Sequence, residues 1–158
     1  MWRELEEGAP ELARLGRERL DRRAALLGTI RKDGSPRISP VEPFFVAGEL
    51  IFGTMPWSLK VRDLERDPRC VLHSAVMDPD ATEGELRLYG RAVEVDDPAV
   101  RNGAPNAWWV GRPVEEARVF ALAIEEATFI TWDFEGGLMT ARRWSAEEGY
   151  REAERPYP

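Results

Sequence analysis

The chain has 158 residues, the length of one domain with a sizeable core. Apolar residues make up 43% and charged residues 32%, which is typical of globular proteins and excludes a disordered chain. The net charge of −7 argues against a nucleic-acid binder and against docking on anionic membranes, because both need a basic surface. We predict one domain over residues 1–158, with a helical N-terminal segment at 1–23 and a polar, frayed tail at 147–158.

The chain contains one cysteine, Cys70, and one histidine, His73. A single cysteine cannot form an internal disulfide, which is typical of cytoplasmic proteins. The two residues are too few for a Cys- or His-rich metal site, and a Ser-His-Asp triad would have to use His73. No apolar run approaches the roughly 18 residues of a membrane span, and the N-terminus lacks an apolar signal-peptide core. We therefore predict a cytoplasmic protein without a resident metal.

The hydrophobic pattern begins with helical spacing and then changes to short runs of strand length. In chain order it predicts a helix at 9–23, strands at 25–30, 37–46 and 49–54, a helix at 58–66, strands at 70–76 and 85–95, a helix at 114–124, and strands at 127–134 and 138–144.

Tight turns join the first strands, so the sheet is predicted to be antiparallel. Asp33-Gly34 is a strong hairpin sequence, and such a turn is too short for a parallel crossover. Pro40 and Pro43 cannot donate to a ladder, so their strand must bend, bulge or lie at an edge. The alternation of residues 85–95 slips at Gly90. About six antiparallel strands, with helices at the ends, predict a small barrel.

The junction between the strand at 49–54 and the helix at 58–66 is the most informative segment. A helix N-terminus offers unpaired backbone N–H groups and the positive end of the helix dipole. Thr54 and Ser58 add two hydroxyls and Lys60 adds an ammonium, and these are the groups that a phosphate needs. On the residues alone, a helix capped by Ser58 with a solvated lysine remains the alternative.

The order of these pieces resembles the FMN-binding split-barrel superfamily, the pyridoxamine 5′-phosphate oxidase-like proteins. The resemblance covers residues 22–95 in detail and the C-terminal third in outline. It is carried by three strings in this order, DGSPRISPV at 33–41, SLK at 58–60 and RDLERDPR at 62–69. Each string alone is weak evidence.

This resemblance implies a mostly β fold, a six-stranded antiparallel split barrel with Greek-key topology and peripheral helices. It also implies a flavoprotein oxidoreductase that binds FMN and acts on a small molecule. A flavin carries the hydride itself, which fits a chain with few catalytic side chains. The implied cofactor contacts are, for the phosphate, Thr54, Ser58 and Lys60, and, along the ring system, Ser39, Pro40 and Val41. Trp57 lies within the phosphate-binding segment, where it either contacts the cofactor or simply packs against the protein.

Two departures argue against pyridoxamine phosphate as the substrate. Leu59 stands where pyridoxamine-phosphate oxidases have an arginine, and residues 39–42 (SPVE) lack their basic residue. The Ser-Pro-Val form looks more like the flavin/deazaflavin oxidoreductase branch, whose members use FMN, a deazaflavin coenzyme or, in some cases, haem. The alternative to an enzyme is a non-catalytic protein that stores or senses a flavin or haem on the same scaffold.

The resemblance further implies a homodimer with the cofactor between two subunits. Six tryptophans are a heavy aromatic load for a monomer surface, and aromatic residues are enriched in interfaces. Trp108 and Trp109 either cover a core or interface or wall a pocket. Trp144 either reaches a partner's cofactor or lies in an edge strand protected by its neighbouring arginines. His73 is a core or interface histidine or, alternatively, a haem ligand.

Overall fold

A computed structural model describes residues 1–21, 23–77, 82–103 and 117–157 of the protein. These residues form nine strands and four helices. In chain order the elements are α1 (Trp2–Gly8), α2 (Pro10–Leu20), β1 (Ala25–Ile30), β2 (Pro36–Val41), β3 (Pro43–Val46), β4 (Glu49–Thr54), α3 (Leu59–Arg66), β5 (Arg69–Ser74), β6 (Glu85–Glu94), α4 (Pro98–Gly103), β7 (Arg118–Asp133), β8 (Leu138–Ser145) and β9 (Gly149–Pro156).

The strands form one antiparallel sheet in the order β2-β1-β5-β6-β7-β4-β3, with β8 paired to β7 and β9 to β8. In the β1–β2 hairpin, the Gly34 amide donates to the Arg31 carbonyl. Gly34 has a φ of 83°, a left-handed conformation that glycine adopts without strain. The predicted hairpin and the mostly β, antiparallel fold class are confirmed.

The long strand β7 divides the sheet. One of its edges pairs with β6 along almost its whole length. Its other edge pairs first with β4, through residues 118–121, and then with β8, through residues 126–133. The sheet therefore splits into two branches along β7, as a split barrel requires.

The two end strands of the main path, β2 and β3, are separated in sequence only by Glu42. Within the described ranges no ladder joins them, so hydrogen bonds do not close the barrel at this seam. Pro40 lies in β2 and Pro43 begins β3, and neither has an N–H to donate. Of the three predicted alternatives, a bend, a bulge or an edge position, the structure has the edge position, and the segment is divided into two strands.

The N-terminal helices supply one wall of the core. Trp2 and Leu5 of α1 and Leu12 and Leu20 of α2 are completely buried. The Trp2 ring lies edge-to-face on the Phe45 ring of β3, with centroids 4.7 Å apart. Burial of each such side chain contributes roughly 1.5–3 kcal/mol, so these short, highly charged helices are held by packing.

The slip predicted in the alternation of β6 at Gly90 is wrong, because every second residue from Leu86 to Ala92 is buried. The register of β6 against β7 shifts between Tyr89 and Gly90. A Cβ at Gly90 would lie 2.0 Å from the Ala123 carbonyl oxygen, so only glycine fits this close approach. The extra residue of this β-bulge is Glu125 of β7, so the bulge keeps the apolar residues of β7 buried on both sides of it.

A buried carboxylate fixes α3 against the β1–β2 hairpin. Asp63 is 4% exposed, and its Oδ2 accepts hydrogen bonds from Arg37 Nε at 2.6 Å and Thr29 Oγ1 at 3.0 Å. Arg66 Nη2 lies 3.4 Å from the other carboxylate oxygen. Burial by itself would raise the pKa of Asp63, but these donors outweigh it and hold the pKa below its ordinary value.

Two predicted elements are wrong. Residues 118–124, assigned to a helix at 114–124, belong to β7, and 114–116 lie outside the described residues. Residues 149–156, assigned to a frayed tail, form β9 and pair with β8. The structure also has a helix, α1, before the predicted one, and nine described strands where about six were expected.

None of the helices in the described ranges is long and apolar enough to cross a membrane.

We expect Asp63→Asn to destabilise the protein by about 1–3 kcal/mol at pH 7, because it leaves the half-buried Arg37 without its anion. The pKa of Asp63 is depressed in the folded state, so its contribution is complete above the unfolded pKa of about 4 and is lost as pH falls through the folded value. Thermal unfolding of both proteins between pH 7 and pH 3 should therefore show a difference in Tm that shrinks in acid. A difference that stays constant would contradict this role.

Candidate functional site

The predicted phosphate-binding residues lie at the junction between β4 and α3, and Lys60 of this junction contacts β2. Thr54 ends β4, residues 55–57 turn, and Ser58 is the N-cap of the eight-residue α3, with an extended backbone (φ −69°, ψ 145°). The first N–H groups of a helix have no acceptor within the helix. The junction therefore presents backbone donors beside the seam between β2 and β3.

Ser58 adds a side-chain group that has no partner. Its Oγ atom is buried, makes no capping bond to α3 and has no hydrogen-bond partner among the described residues. A buried hydroxyl without a partner typically costs about 1–3 kcal/mol, so such groups are rare and call for an explanation. An oxygen-bearing ligand at the start of α3 would satisfy it.

Lys60 connects α3 with the free edge of β2. Its Nζ donates to the Pro40 carbonyl at 3.3 Å, where an edge strand has an acceptor without a strand partner. Burial lowers the pKa of the Lys60 ammonium. Within the described part of the chain no carboxylate pairs with it. The site thus contains a partly desolvated cation whose one protein partner there is a neutral carbonyl.

Thr54 is already engaged by the fold. It is 3% exposed, and its Oγ1 donates to the Arg118 carbonyl of β7 at 3.2 Å. Arg118 in turn pairs with Glu94 and, at 2.7 Å, with Glu65, and these bonds raise its pKa. To donate to a phosphate, the Thr54 hydroxyl would first have to release this carbonyl.

The three predicted ring-lining residues do not share one face of β2. Ser39 and Val41 lie opposite the buried Leu27 and Ala25 of β1, and Val41 is itself 2% exposed. Pro40 is exposed on the other face. A ring lying along β2 could therefore meet the Pro40 side chain and the backbone of its neighbours, but not all three side chains.

The turn before α3 exposes large apolar side chains. Trp57 is 57% exposed, and Met55 and Leu59 are also exposed. Single exposed apolar residues are common, but three within five residues beside unpaired polar groups are typical of a surface that is covered by a ligand or another subunit.

The outer face of the sheet near β2 is apolar as well, and the sequence analysis missed it. The register aligns Ile38, Gly28, Val71 and Tyr89 in one row across four strands. Ile38 is 71% exposed, and Leu26, opposite Pro40, is 42% exposed. The strict alternation of β1 and β2 could have indicated this face, but the sequence does not reveal that no described residue covers it.

The other candidates lie away from the junction. His73 is half-buried, with Nδ1 2.7 Å from the Ser74 carbonyl and Nε2 3.7 Å from Glu85. Cys70 is buried, which raises the pKa of its thiol to about 12, so it is a core residue and not a reactive one.

Trp144 belongs to the main core cluster and is 5% exposed, so its side chain is not available to contact a partner's cofactor. The hypotheses on Trp108 and Trp109 concern residues outside the described ranges. Among the residues that the structure describes, no group of three or more His, Cys, Asp or Glu side chains could hold a metal ion.

Comparisons with solved structures identify the fold. A pyridoxamine 5′-phosphate oxidase-related, FMN-binding protein from Nostoc punctiforme is 14% identical, with 96% of each chain covered and a TM-score of 0.66. PhzG from Burkholderia lata, solved with tetrahydrophenazine-1-carboxylic acid, is 16% identical, with 99% of this chain and 93% of PhzG covered and a TM-score of 0.64. A haem-binding protein from Mycobacterium smegmatis is 14% identical, with 90% of this chain and 57% of that chain covered and a TM-score of 0.61.

No match to the chain is found among the curated proteins. The sequence model of the family described as pyridoxamine 5′-phosphate oxidase matches residues 15–131, which include β1 to β6, α3 and most of β7. The split-barrel topology agrees with that match, and so do the three solved structures. The chain belongs to the pyridoxamine 5′-phosphate oxidase family.

Proposed function

We propose that the protein binds FMN and serves as an oxidoreductase for a small molecule. The observation that carries this proposal is the unpaired, buried Ser58 hydroxyl two residues from the half-buried Lys60 ammonium. A phosphate at this point would accept from both groups and from the first N–H groups of α3. The FMN-binding relative from Nostoc supports the choice of cofactor.

Each residue at the junction has a distinct part in the proposed site. Ser58 donates its hydroxyl to a phosphate oxygen, and Lys60 supplies the positive charge while its stem crosses to β2. Thr54 holds the end of β4 to β7 through the Arg118 carbonyl, and its predicted donation to the phosphate requires that bond to be exchanged. Binding of a dianion would also offset the desolvation of Lys60.

The ring system would lie along β2, beside Pro40 and the backbone of Ser39 and Val41. Trp57 offers an exposed aromatic surface next to the phosphate position. A bound flavin would supply the hydride transfer, and the protein would bind, orient and exclude water. No proton-transferring residue is needed for the hydride transfer itself.

A homodimer with the cofactor near the subunit interface is part of the same proposal. The apolar row that contains Ile38 and Tyr89, together with the neighbouring Leu26, is exposed to solvent in one chain. The same face of a second chain is equally apolar, so the two faces could bury each other in a symmetric interface. The face includes Pro40, whose carbonyl holds Lys60, so the interface would adjoin the cofactor. A cytoplasmic location remains a prediction from the single cysteine.

The alternative is a protein that holds its cofactor without turnover. The haem-binding relative supports haem in this role, and His73 on the outer face is the one histidine that could ligate it. A deazaflavin coenzyme also carries a phosphate and would use the same junction.

The absorption spectrum of the purified protein distinguishes these cofactors. We expect a flavin spectrum, and reduction of the bound flavin by NADH, NADPH or a reduced deazaflavin with repeated turnover. A Soret band would establish haem in its place, and a flavin that is never reoxidised by any small molecule would favour storage or sensing.

We expect Lys60→Ala to weaken FMN binding about ten- to a hundredfold, since a charge-assisted bond contributes roughly 1.5–3 kcal/mol. Riboflavin lacks the phosphate, so its affinity should change less than about twofold. Ser58→Ala should weaken FMN binding in the same selective way without lowering the Tm of the free protein, because it removes an unpaired buried group. Fluorescence titration of both flavins measures these affinities.

Arg155→Ala on β9 is the matched control, because it removes one positive charge at an exposed position far from α3. Its FMN affinity should equal that of the unmodified protein. Equal losses for FMN and riboflavin in Lys60→Ala, or no loss for either, would refute the phosphate contact.

Light scattering at micromolar concentration should give twice the chain mass of 18.0 kDa. Ile38→Asp places a charge at the most exposed side chain of the apolar row and should shift the mass to that of one chain. A monomer mass for the unmodified protein would refute the dimer.

A further inference from the structure

A groove with a strongly basic lining adjoins the proposed phosphate contacts, and Leu59, which lies between Ser58 and Lys60 in the sequence, is part of its lining. It has a volume of about 580 Å³, within the range of small-molecule sites, and it runs between the β1–β2 hairpin and one face of α3. Neither Ser58 nor Lys60 lines it. The cationic side chains that line it are Arg31, Lys32, Arg37, Arg62 and Arg66.

The charge of this basic groove is opposite to that of the whole protein. Five cations and two carboxylates, Asp33 and Asp63, give its lining a net charge of +3, whereas the chain carries −7. Such a local excess attracts anions although the protein as a whole repels them. A general polyanion such as a nucleic acid would meet the acidic remainder of the surface, so the charge favours a small ligand.

Asp33 and Asp63 neutralise only part of the positive charge in the lining of the groove. Asp63 lies buried beneath the groove and orients Arg37 through Nε alone, so both terminal nitrogens of that guanidinium are without partners among the described residues. Asp33 accepts from the Ser35 amide and hydroxyl, which lower its pKa. Within the described ranges no carboxylate pairs with Arg31, Lys32 or Arg62.

The geometry of the donors matches phosphate oxygens. Arg62 and Arg66 are four residues apart on α3, so they lie on the same helix face, and Arg37 lies opposite them on β2. Arg66 already donates to the Ile30 and Arg62 carbonyls and to Asp63, so the guanidinium nitrogens available to a ligand are those of Arg37 and Arg62. Planar guanidinium groups recognise phosphate through paired hydrogen bonds. One phosphate monoester carries about −1.5 to −2 charges near neutral pH, so two linked phosphates balance +3 better than one.

We propose that the basic groove binds the diphosphate moiety of a small ligand, separately from the FMN phosphate at Ser58 and Lys60. No aromatic side chain lines the groove among the described residues, so recognition rests on the phosphates and not on a stacked base. Free pyrophosphate, a nucleoside diphosphate and a nicotinamide dinucleotide share this chemistry.

Calorimetric titration at fixed ionic strength, on FMN-saturated protein, tests the proposal. We expect pyrophosphate to bind at least tenfold more tightly than orthophosphate. Parallel titrations with ADP and NADPH distinguish the sources, since the natural ligand class should bind more tightly than pyrophosphate alone. The double variant Arg31→Ala/Lys32→Ala should lose at least tenfold in pyrophosphate affinity and keep its FMN affinity.

The matched control is Arg151→Ala/Arg155→Ala, which removes the same charge from a second arginine-containing groove on β8 and β9. It should keep its pyrophosphate affinity within about twofold, and so should Lys60→Ala. If the hairpin variant does not fold, Arg62→Gln on the exposed face of α3 replaces it, with the same expected loss.

Three results would overturn the proposal. One is pyrophosphate binding no tighter than orthophosphate. The second is an equal loss in the hairpin variant and the control, which would indicate diffuse charge attraction. The third is pyrophosphate binding that is seen in the FMN-free protein and is lost when FMN is bound, which would assign the anion to the junction. None of the three results would contradict the proposal that the protein binds FMN.

Discussion

The ion pair between Asp63 and Arg37 is the constraint on which the proposed site depends. It joins α3 to β2, and Thr29 extends the same contact to β1. Without it α3 would be attached to the sheet mainly through Val61 and Leu64, two modest apolar side chains. The position of Ser58 and Lys60 relative to the free edge of β2 is therefore determined by a carboxylate about one helical turn further along α3.

Much of the fold could be predicted because, in most strands and turns, the local sequence preference and the burial pattern indicate the same structure. The Asp33-Gly34 turn and the prolines of β2 and β3 each have a local cause that the sequence displays, whereas the register shift opposite Gly90 comes from an extra residue in β7. Residues 118–124 could not be assigned in the same way. They are apolar at nearly every position because the strand is covered on both faces, and such a run has no period of two.

The strand β9 could not be predicted for the opposite reason. Its residues are all exposed, so no apolar alternation marks them as a strand, and only pairing with β8 orders them. At the junction, the spacing of Thr54, Ser58 and Lys60 in the sequence is sufficient to predict them as candidate phosphate contacts. The engagement of Thr54 by Arg118, the opposite directions of Pro40 and Val41, and the tie made by Asp63 all depend on register between distant strands, which spacing does not contain.

The double pairing of β7 bears on how the chain reaches this structure during synthesis. β4 and β6 both pair with residues 118–133, so each has an unsatisfied edge until that segment has emerged from the ribosome. Contacts of such long sequence separation make β folding slow. The first hundred residues can form the β1–β2 and β3–β4 hairpins and α3, but the barrel is completed late, when β7 is added between two strands already present.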